Sequence, residues 1–260
     1  MLSEQRQSEI ADFICREGKA SISELAESFN VSCETIRRDL ITISRGNLIR
    51  KVHGGAVAVK HPILDESYAI RQTKNFQSKE KIGQRAAQFI NDNDIVGIDS
   101  GTCCEAFARS VKDVKNVTFV CNSLPIATIL AHKISAGDFT GSVIVLTGRV
   151  HNETCTLYGR HTLSQLKSYH FNKAIVGVTT ISEDGVAAGI EDVGILSATL
   201  ISQSESSYIL AESEKIGQKS LFNFAGFDEI TAIITDSDNP INYSIKKNIA
   251  QNGAEIITVQ

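Results

Sequence analysis

The chain contains no apolar run approaching the roughly 20 residues that a membrane-spanning helix needs. Its beginning, Met1-Leu2-Ser3-Glu4-Gln5-Arg6, is polar rather than signal-like. Both absences lead to the expectation of a cytoplasmic protein with no membrane partner. C-x-x-C pairs are missing as well. The six cysteines, Cys15, Cys33, Cys103, Cys104, Cys121 and Cys155, show no zinc-finger spacing with histidine, so reduced thiols are expected and a structural metal is not. Internal repeats and low-complexity tracts are lacking. So is an overall positive charge: 26 Lys and Arg stand against 30 Asp and Glu, a formal net charge of -4, with a pI near 5.9. That balance argues against nucleic-acid binding by the whole surface.

What is present is a soluble composition. Hydrophobic residues make up 42% and charged residues 22% of 260 residues, with a mean hydropathy of -0.04. Such a chain buries a core and is neither disordered nor fibrous. It is long enough for one large domain, or for a small domain joined to a medium one. The distribution of charge matters more than its sum. From Arg37 to Lys60 run Arg37, Arg38, Arg45, Arg50, Lys51 and Lys60 against the single acid Asp39. A local basic stripe on an acidic protein is the expected mark of a small DNA-reading module.

Leu2, Arg6, Ile10, Phe13 and Ile14 place their apolar members at helical spacing, and Gly18 supplies a stop. Ser21-Ile22-Ser23-Glu24 has the form of a capping box. A second helix should follow to about Phe29, with Ile22, Leu25, Ala26 and Phe29 on one face. Asn30-Val31 provides a turn, and Ser32 can cap a third helix through Ser44, whose Ile36, Leu40 and Ile43 repeat at four and three residues. Two short helices across a tight turn, at about residues 20–39, make a helix-turn-helix. On a helical wheel Arg38 and Glu34 point outward, flanked by Arg37, Ile41 and Thr42. Arg38 is therefore the candidate for guanine edges and Arg37 for phosphate, with Ser32 and Thr35 near the groove wall. Leu48 to Val59 reads as two short strands around Gly54-Gly55, a wing from which Arg50, Lys51 and His53 would contact phosphates or the minor groove.

Residues 61–77 read as a linker with a connecting helical segment, and residues 78–260 as a larger domain. Ile82, Ala86, Phe89 and Ile90 form an amphipathic pattern. Short apolar runs then recur around Ile95–Ile98, Val117–Cys121, Val143–Leu146, Ala174–Val178, Tyr208–Leu210, Ile230–Ile234 and Ile256–Val259, with helical stretches between them. The alternation indicates an α/β domain with a wound, mainly parallel sheet buried on both faces. Ligands of such sheets sit at the carboxyl ends of the strands. Asp99-Ser100-Gly101-Thr102-Cys103 follows the first strand and opens a helix, where backbone N–H groups and hydroxyls could cradle a phosphate. Asn122-Ser123 ends the second strand, Thr147-Gly148-Arg149 the third, and Lys215 follows the strand at Tyr208–Leu210. Converging strand ends make one anion site, with Gly148 in its loop, Arg149 and Lys215 as its charge and Asn122 as a directional amide.

Glu24-Leu25-Ala26, Phe29-Asn30-Val31-Ser32, Thr35-Ile36-Arg37-Arg38-Asp39-Leu40 and His53-Gly54-Gly55-Ala56, in order and without gaps, resemble the N-terminal signature of the DeoR family of bacterial regulators of sugar metabolism. The likeness continues through Asp99-Ser100-Gly101-Thr102, Asn122-Ser123-Leu124, Tyr158-Gly159, Gly185 and Leu210-Ala211-Glu212 with Lys215, which are similar to that family's sensor domain. Its fold is related to ribose-phosphate isomerase and glucosamine-phosphate deaminase. The resemblance implies a winged helix-turn-helix over residues 1–60, a sugar-phosphate effector-sensing domain over 78–260, and repression of a carbohydrate operon. It implies double-stranded operator DNA and a phosphorylated sugar or polyol as partners. A dimeric or tetrameric homo-oligomer is expected because palindromic or repeated operators reward paired modules, and no cofactor, metal or catalytic residue is expected. Departures surround the expected pocket: Cys103 stands where threonine is common, Thr147 where glycine is, Asn172 where aspartate is, and Glu212-Ser213-Glu214-Lys215 replaces Asp-x-Ser-Lys.

Two other readings compete. A sugar-phosphate isomerase or deaminase with an accessory N-terminal domain would need a carboxylate base, for which Asp184, Glu191 and Asp192 are the candidates. It ranks lower because no trio declares itself by spacing and the winged module is complete. Redox sensing through Cys103-Cys104 would require a strained bridge between neighbours, so ordinary packing is favoured.

Overall fold

The computed structural model describes residues 6, 7, 9–11, 13, 14, 19–44, 49–52, 54–58, 68–152, 154–236 and 241–259, with backbone alone for Arg50, Ala58 and Ala69. The chain divides into two compact units, Met1–His61 and Pro62–Gln260.

In the first unit the helical residues 6, 7, 9–11, 13 and 14 form α1. Then come β1 (Lys19–Ser21), α2 (Ile22–Ser28), α3 (Cys33–Ser44), β2 (Ile49–Val52) and β3 (Gly55–Ala58). Ser21 starts α2 as the capping box requires: its Oγ accepts the Glu24 N–H at 3.2 Å, and the Glu24 carboxylate accepts the Ser21 N–H at 2.8 Å. Asn30 takes a left-handed φ of 51° in the turn to α3, a conformation asparagine tolerates well. Ile10, Ile14, Leu25, Ile36, Leu40 and Ile49 fill one core. Beneath them lies an antiparallel sheet of order β1-β3-β2. Its adjacent glycines serve different ends. Gly54 turns the hairpin with φ +82°, whereas a Cβ on Gly55 would stand 2.2 Å from the Ala20 carbonyl oxygen, because β1 runs close against it.

The first described elements of the second unit are α4 (Tyr68–Thr73) and α5 (Phe76–Ala87), so the described part of the connecting segment is mostly helical and the helix expected from Ser78 begins at Phe76. It continues with β4 (Ile95–Ile98), α6 (Thr102–Ser110), β5 (Val117–Cys121), α7 (Leu124–Ala136), β6 (Gly141–Val145), β7 (Arg149–Val150), β8 (Leu157–Tyr158), α8 (Arg160–Leu166) and β9 (Phe171–Gly177). The remainder is β10 (Thr180–Ser182), β11 (Gly185–Ala188), α9 (Glu191–Ser202), β12 (Ser204–Leu210), β13 (Phe222–Ala225), β14 (Ala232–Asp236), α10 (Tyr243–Gln251) and β15 (Glu255–Val259). Seven strands form one parallel sheet of order β15-β14-β12-β9-β4-β5-β6.

Alternate residues of the central strands feed different cores. Ile175, Tyr208, Leu210 and Ile234 pack with Ile82, Phe107 and Ile126 of α5, α6 and α7. Their neighbours Val176, Ile209 and Ile233 pack with Leu166, Leu196, Leu200 and Ile245 of α8, α9 and α10. Both faces are covered, which is why these strands read as unbroken apolar runs. The chain lays β5 and β6 outward on one side of β4, then returns to place β9, β12, β14 and β15 on the other. The winding therefore reverses between β4 and β9, and it is outside the carboxyl ends at such a reversal that a crevice opens. Two smaller features have no counterpart in the alternation: a β7–β8 hairpin and an antiparallel sheet of order β10-β11-β13.

Candidate nucleic-acid interface and ligand cavity

On α3, Ile36, Asp39 and Leu40 are buried, while Arg37 and Arg38 are exposed and share Glu34 at 3.4 and 3.7 Å. Such exposed pairs are weak, so either guanidinium can exchange Glu34 for a phosphate or a base edge. Asp39 points the other way. It is 3% exposed and accepts hydrogen bonds from Arg6 Nε at 2.7 Å and Gln7 Nε2 at 2.8 Å. The only acid in the basic stripe is thus paired inside the unit, a relation that linear charge counting misses. Ser32 Oγ accepts the Thr35 N–H at 3.1 Å and shares a 2.9 Å hydrogen bond with the Thr35 hydroxyl, so Ser32 caps the exposed start of α3. Lys51 is exposed on β2. Arg50 belongs to β2 by its backbone, and His53 lies outside the described residues.

In the second unit a cavity of about 300 Å³ opens at the reversal between β4 and β9. Its floor is Asp99-Ser100-Gly101 after β4 and Gly177-Val178-Thr179 at the end of β9. Gly101, with φ +113°, turns the strand into α6, whose first residues Thr102 and Cys103 also face the cavity. The positive end of that helix and its free first-turn amides favour an anion there. Lys215, after β12, lines the same space and donates from Nζ to the Val178 carbonyl at 2.9 Å. Asn122 lines it too, but its Nδ2 donates to the Leu157 carbonyl at 3.2 Å, holding β8 against the end of β5.

Seven of the nine sequence-selected ligand residues therefore meet: Asp99, Ser100, Gly101, Thr102, Cys103, Asn122 and Lys215. Gly148 and Arg149 do not reach this cavity. The sheet strand ends at Val145, and the chain turns outward into the β7–β8 hairpin. Arg149 is exposed there, in a shallow recess that shares only His151 and Tyr158 with the cavity. Gly148 packs instead, since a Cβ on it would stand 2.1 Å from Thr162 Oγ1. The cavity's second cation is Arg71 of α4, which enters with Tyr68 from the segment read as linker. Their spacing of three puts both on one helical face, but only the packing of α4 reveals which surface that face meets. His151, Thr154, Thr156 and Tyr158 add polar groups from the hairpin.

The charges are graded by burial. Asp99 is 4% exposed. Burial pushes its carboxyl up to about 6, against hydrogen bonds from the Ser197 hydroxyl and the N–H groups of Ser100 and Gly177. Glu212 is equally buried. Burial alone would raise it, but Lys215 at 3.3 Å and Lys79 at 3.2 Å overcome this and hold it below the usual carboxylate value. The Cys103 thiol donates to Glu212 at 3.3 Å and is pushed up to about 12, chiefly by burial. Burial drives Cys104 well above its ordinary value too. Neither neighbour is a ready thiolate, so the redox reading gains no support.

The three acids of the enzyme reading are not brought together. Asp184 pairs with Lys219 at 2.6 Å on the surface, and Glu191 is exposed at the start of α9. Of the three only Asp192 lines the cavity. Among the described residues no group of three or more His, Cys, Asp and Glu side chains could hold a metal ion. No described helix is long and apolar enough to cross a membrane.

Residues 6–61 match the DeoR-like helix-turn-helix domain family, and residues 74–237 match the DeoR C terminal sensor domain family. The chain is 30% identical over 260 residues to the HTH-type transcriptional repressor GlcR of Bacillus subtilis, covering 100% of this chain and 98% of the relative. It is 28% identical over 243 residues to the glycerol-3-phosphate regulon repressor of Escherichia coli, covering 93% and 94%. Among solved structures, ribose 5 phosphate isomerase A from Neisseria gonorrhoeae aligns with a TM-score of 0.38 at 16% identity, covering 54% of this chain and 53% of that one.

Proposed function

The chain belongs to the DeoR family of transcriptional regulators, and on that premise we propose that it represses a sugar or polyol utilisation operon under the control of a phosphorylated effector. Arg38 reads base edges in the major groove. Arg37, with Ser32 and Thr35 at the helix start and Arg50, Lys51 and His53 on the wing, holds the phosphate backbone. Much of the affinity is then electrostatic and falls with salt.

The observation that carries the effector reading is the cavity at the sheet's reversal, where the start of α6 and two cationic residues, Lys215 and Arg71, line one space. That combination fits a phosphate. Asp99, Asp192, Thr154, Thr156 and Tyr158 suit the hydroxyls of a small polyol, and the name of the glycerol-3-phosphate regulon repressor points to the same ligand class. The protein works in the cytoplasm as a homo-oligomer, a dimer or tetramer, because repeated or palindromic operators reward paired modules. Fluorescence anisotropy with DNA from the chain's own promoter region tests this, with and without phosphorylated sugars and polyols. Salt-dependent binding altered by one phosphorylated compound, and not by its unphosphorylated form, is expected. No DNA binding at low salt would overturn the reading.

A further inference from the structure

Lys79 sits in the first turns of α5, 2% exposed, and does not line the cavity. Its ammonium donates to the carbonyls of Arg71 and, at 2.5 Å, Lys74, closing the C-terminal end of α4. Its counter-charge is one oxygen of Glu212, at 3.2 Å. The other oxygen of Glu212 faces Lys215 at 3.3 Å and the Cys103 thiol at 3.3 Å. A buried chain of charge therefore runs from two cavity residues, Lys215 and Cys103, through Glu212 and Lys79, to the end of the helix that carries Tyr68 and Arg71. In sequence, α4 is the first described element after the wing strand β3.

We infer that Lys79 and Glu212 are positioning residues that turn anion binding at Lys215 into a rearrangement of α4. One carboxylate serves two ammonium groups. An anion arriving at Lys215 competes with Glu212 for that cation, and the carboxylate, though still accepting the Cys103 thiol, then leans on Lys79 for its counter-charge. An ammonium has three donors, and those of Lys79 are divided among two carbonyls and Glu212. A stronger pull toward Glu212 loosens its hold on the carbonyls of α4. In a buried, weakly screened site such a redistribution is not absorbed by solvent.

The inference rests on the anion reading of the cavity, and the two can be separated. Calorimetry on the full chain with inorganic phosphate, glycerol 3-phosphate, glucose 6-phosphate and fructose 1-phosphate establishes binding. Hydrogen exchange of residues 68–75, with and without the tightest of these, then reads α4 in the unmodified protein. Faster exchange at the end of α4 is expected while the α6 start is protected. The chain has no tryptophan, so Ile70→Trp on the exposed side of α4 gives a second, saturable signal. In that background Glu212→Gln should bind the same compound as tightly or about threefold tighter, since Lys215 loses its competitor, yet the α4 signal should vanish. Lys79→Met should lose the signal likewise. Binding with unchanged exchange in the unmodified chain would overturn the inference and leave the cavity reading intact. So would a signal that survives in a folded Glu212→Gln. Failure of all four compounds to bind would overturn both.

Discussion

Replacing Asp99 by asparagine exchanges a buried ionisable carboxyl for a neutral group of the same shape. The surroundings accept the change: Oδ1 can keep the Ser100 N–H at 2.7 Å, and Nδ2 can donate to Ser197 Oγ, whose own hydroxyl then turns to the Val193 carbonyl at 3.0 Å. The folded-state carboxyl titrates at about 6, above the ordinary 3.8, because burial disfavours its charge. As pH rises the unfolded chain gives up this proton first, so the native state is progressively disfavoured between those two values. The penalty is absent below the unfolded value and complete above the folded one, where the gap corresponds to about 3 kcal/mol. Relative to Asp99→Asn, the wild type should thus lose about 2 kcal/mol between about pH 4.5 and about pH 7.5. Urea unfolding followed by far-ultraviolet circular dichroism measures it at each pH. Any fixed difference in hydrogen bonding cancels from this comparison. A stability gap constant across that range would refute the assignment of a buried, reluctantly ionised carboxyl to the cavity floor.

Three further outcomes follow from the geometry. Arg38→Ala should weaken operator binding by about 1–3 kcal/mol and relax base preference, whereas Arg37→Ala should lower affinity evenly across sequences and reduce the salt slope by about one; anisotropy titrations at several salt concentrations separate them. Gly55→Ala places a methyl group 2.2 Å from the Ala20 carbonyl and should destabilise the winged unit by about 3 kcal/mol or more, against about 1 kcal/mol for Gly54→Ala at φ +82°; thermal unfolding of the two variants compares them. Lys215→Ala should remove the rise in melting temperature given by a phosphorylated ligand, since only binding to the native state produces it; an undiminished rise would exclude Lys215 from the site.

The features legible in the sequence are those set by near neighbours. The Ser21–Glu24 capping box, the apolar seam of α3 and the Gly101 turn into α6 are all local, and each stands where its residues indicate. Other elements carry no such mark. Lys19–Ser21 is too short to show a period. In β10 and β11 every residue is buried, so no alternation betrays two strands or their antiparallel pairing. Arg149 follows an apolar run as a strand-end cation would, but β6 ends four residues earlier and the hairpin carries Arg149 into a separate recess. Tyr68 and Arg71 carry no mark for the opposite reason: the residues around them look like a linker, and only packing against a distant part of the chain places them at the cavity. Asp39 belongs with these, since its neutralisation by Arg6 spans 33 positions.

Strand order explains why the cavity gathers loops so far apart in sequence. β4 and β9 are neighbours with paired residues Ile98 and Ile175, yet β5, β6 and a hairpin lie between them in the chain. At the ends of this pair the two loops approach so closely that a Cβ on Gly177 would stand 2.8 Å from the Ser100 carbonyl oxygen. Gly177 thereby lets its own N–H reach Asp99 and leaves space above the sheet. A larger residue there would push the β9 loop off the β4 loop and pull one wall from the cavity. Gly177, with no side chain to offer a ligand, is therefore one of the residues that set the size of the cavity, and its variation should change which phosphorylated compound fits before it changes whether a phosphate binds.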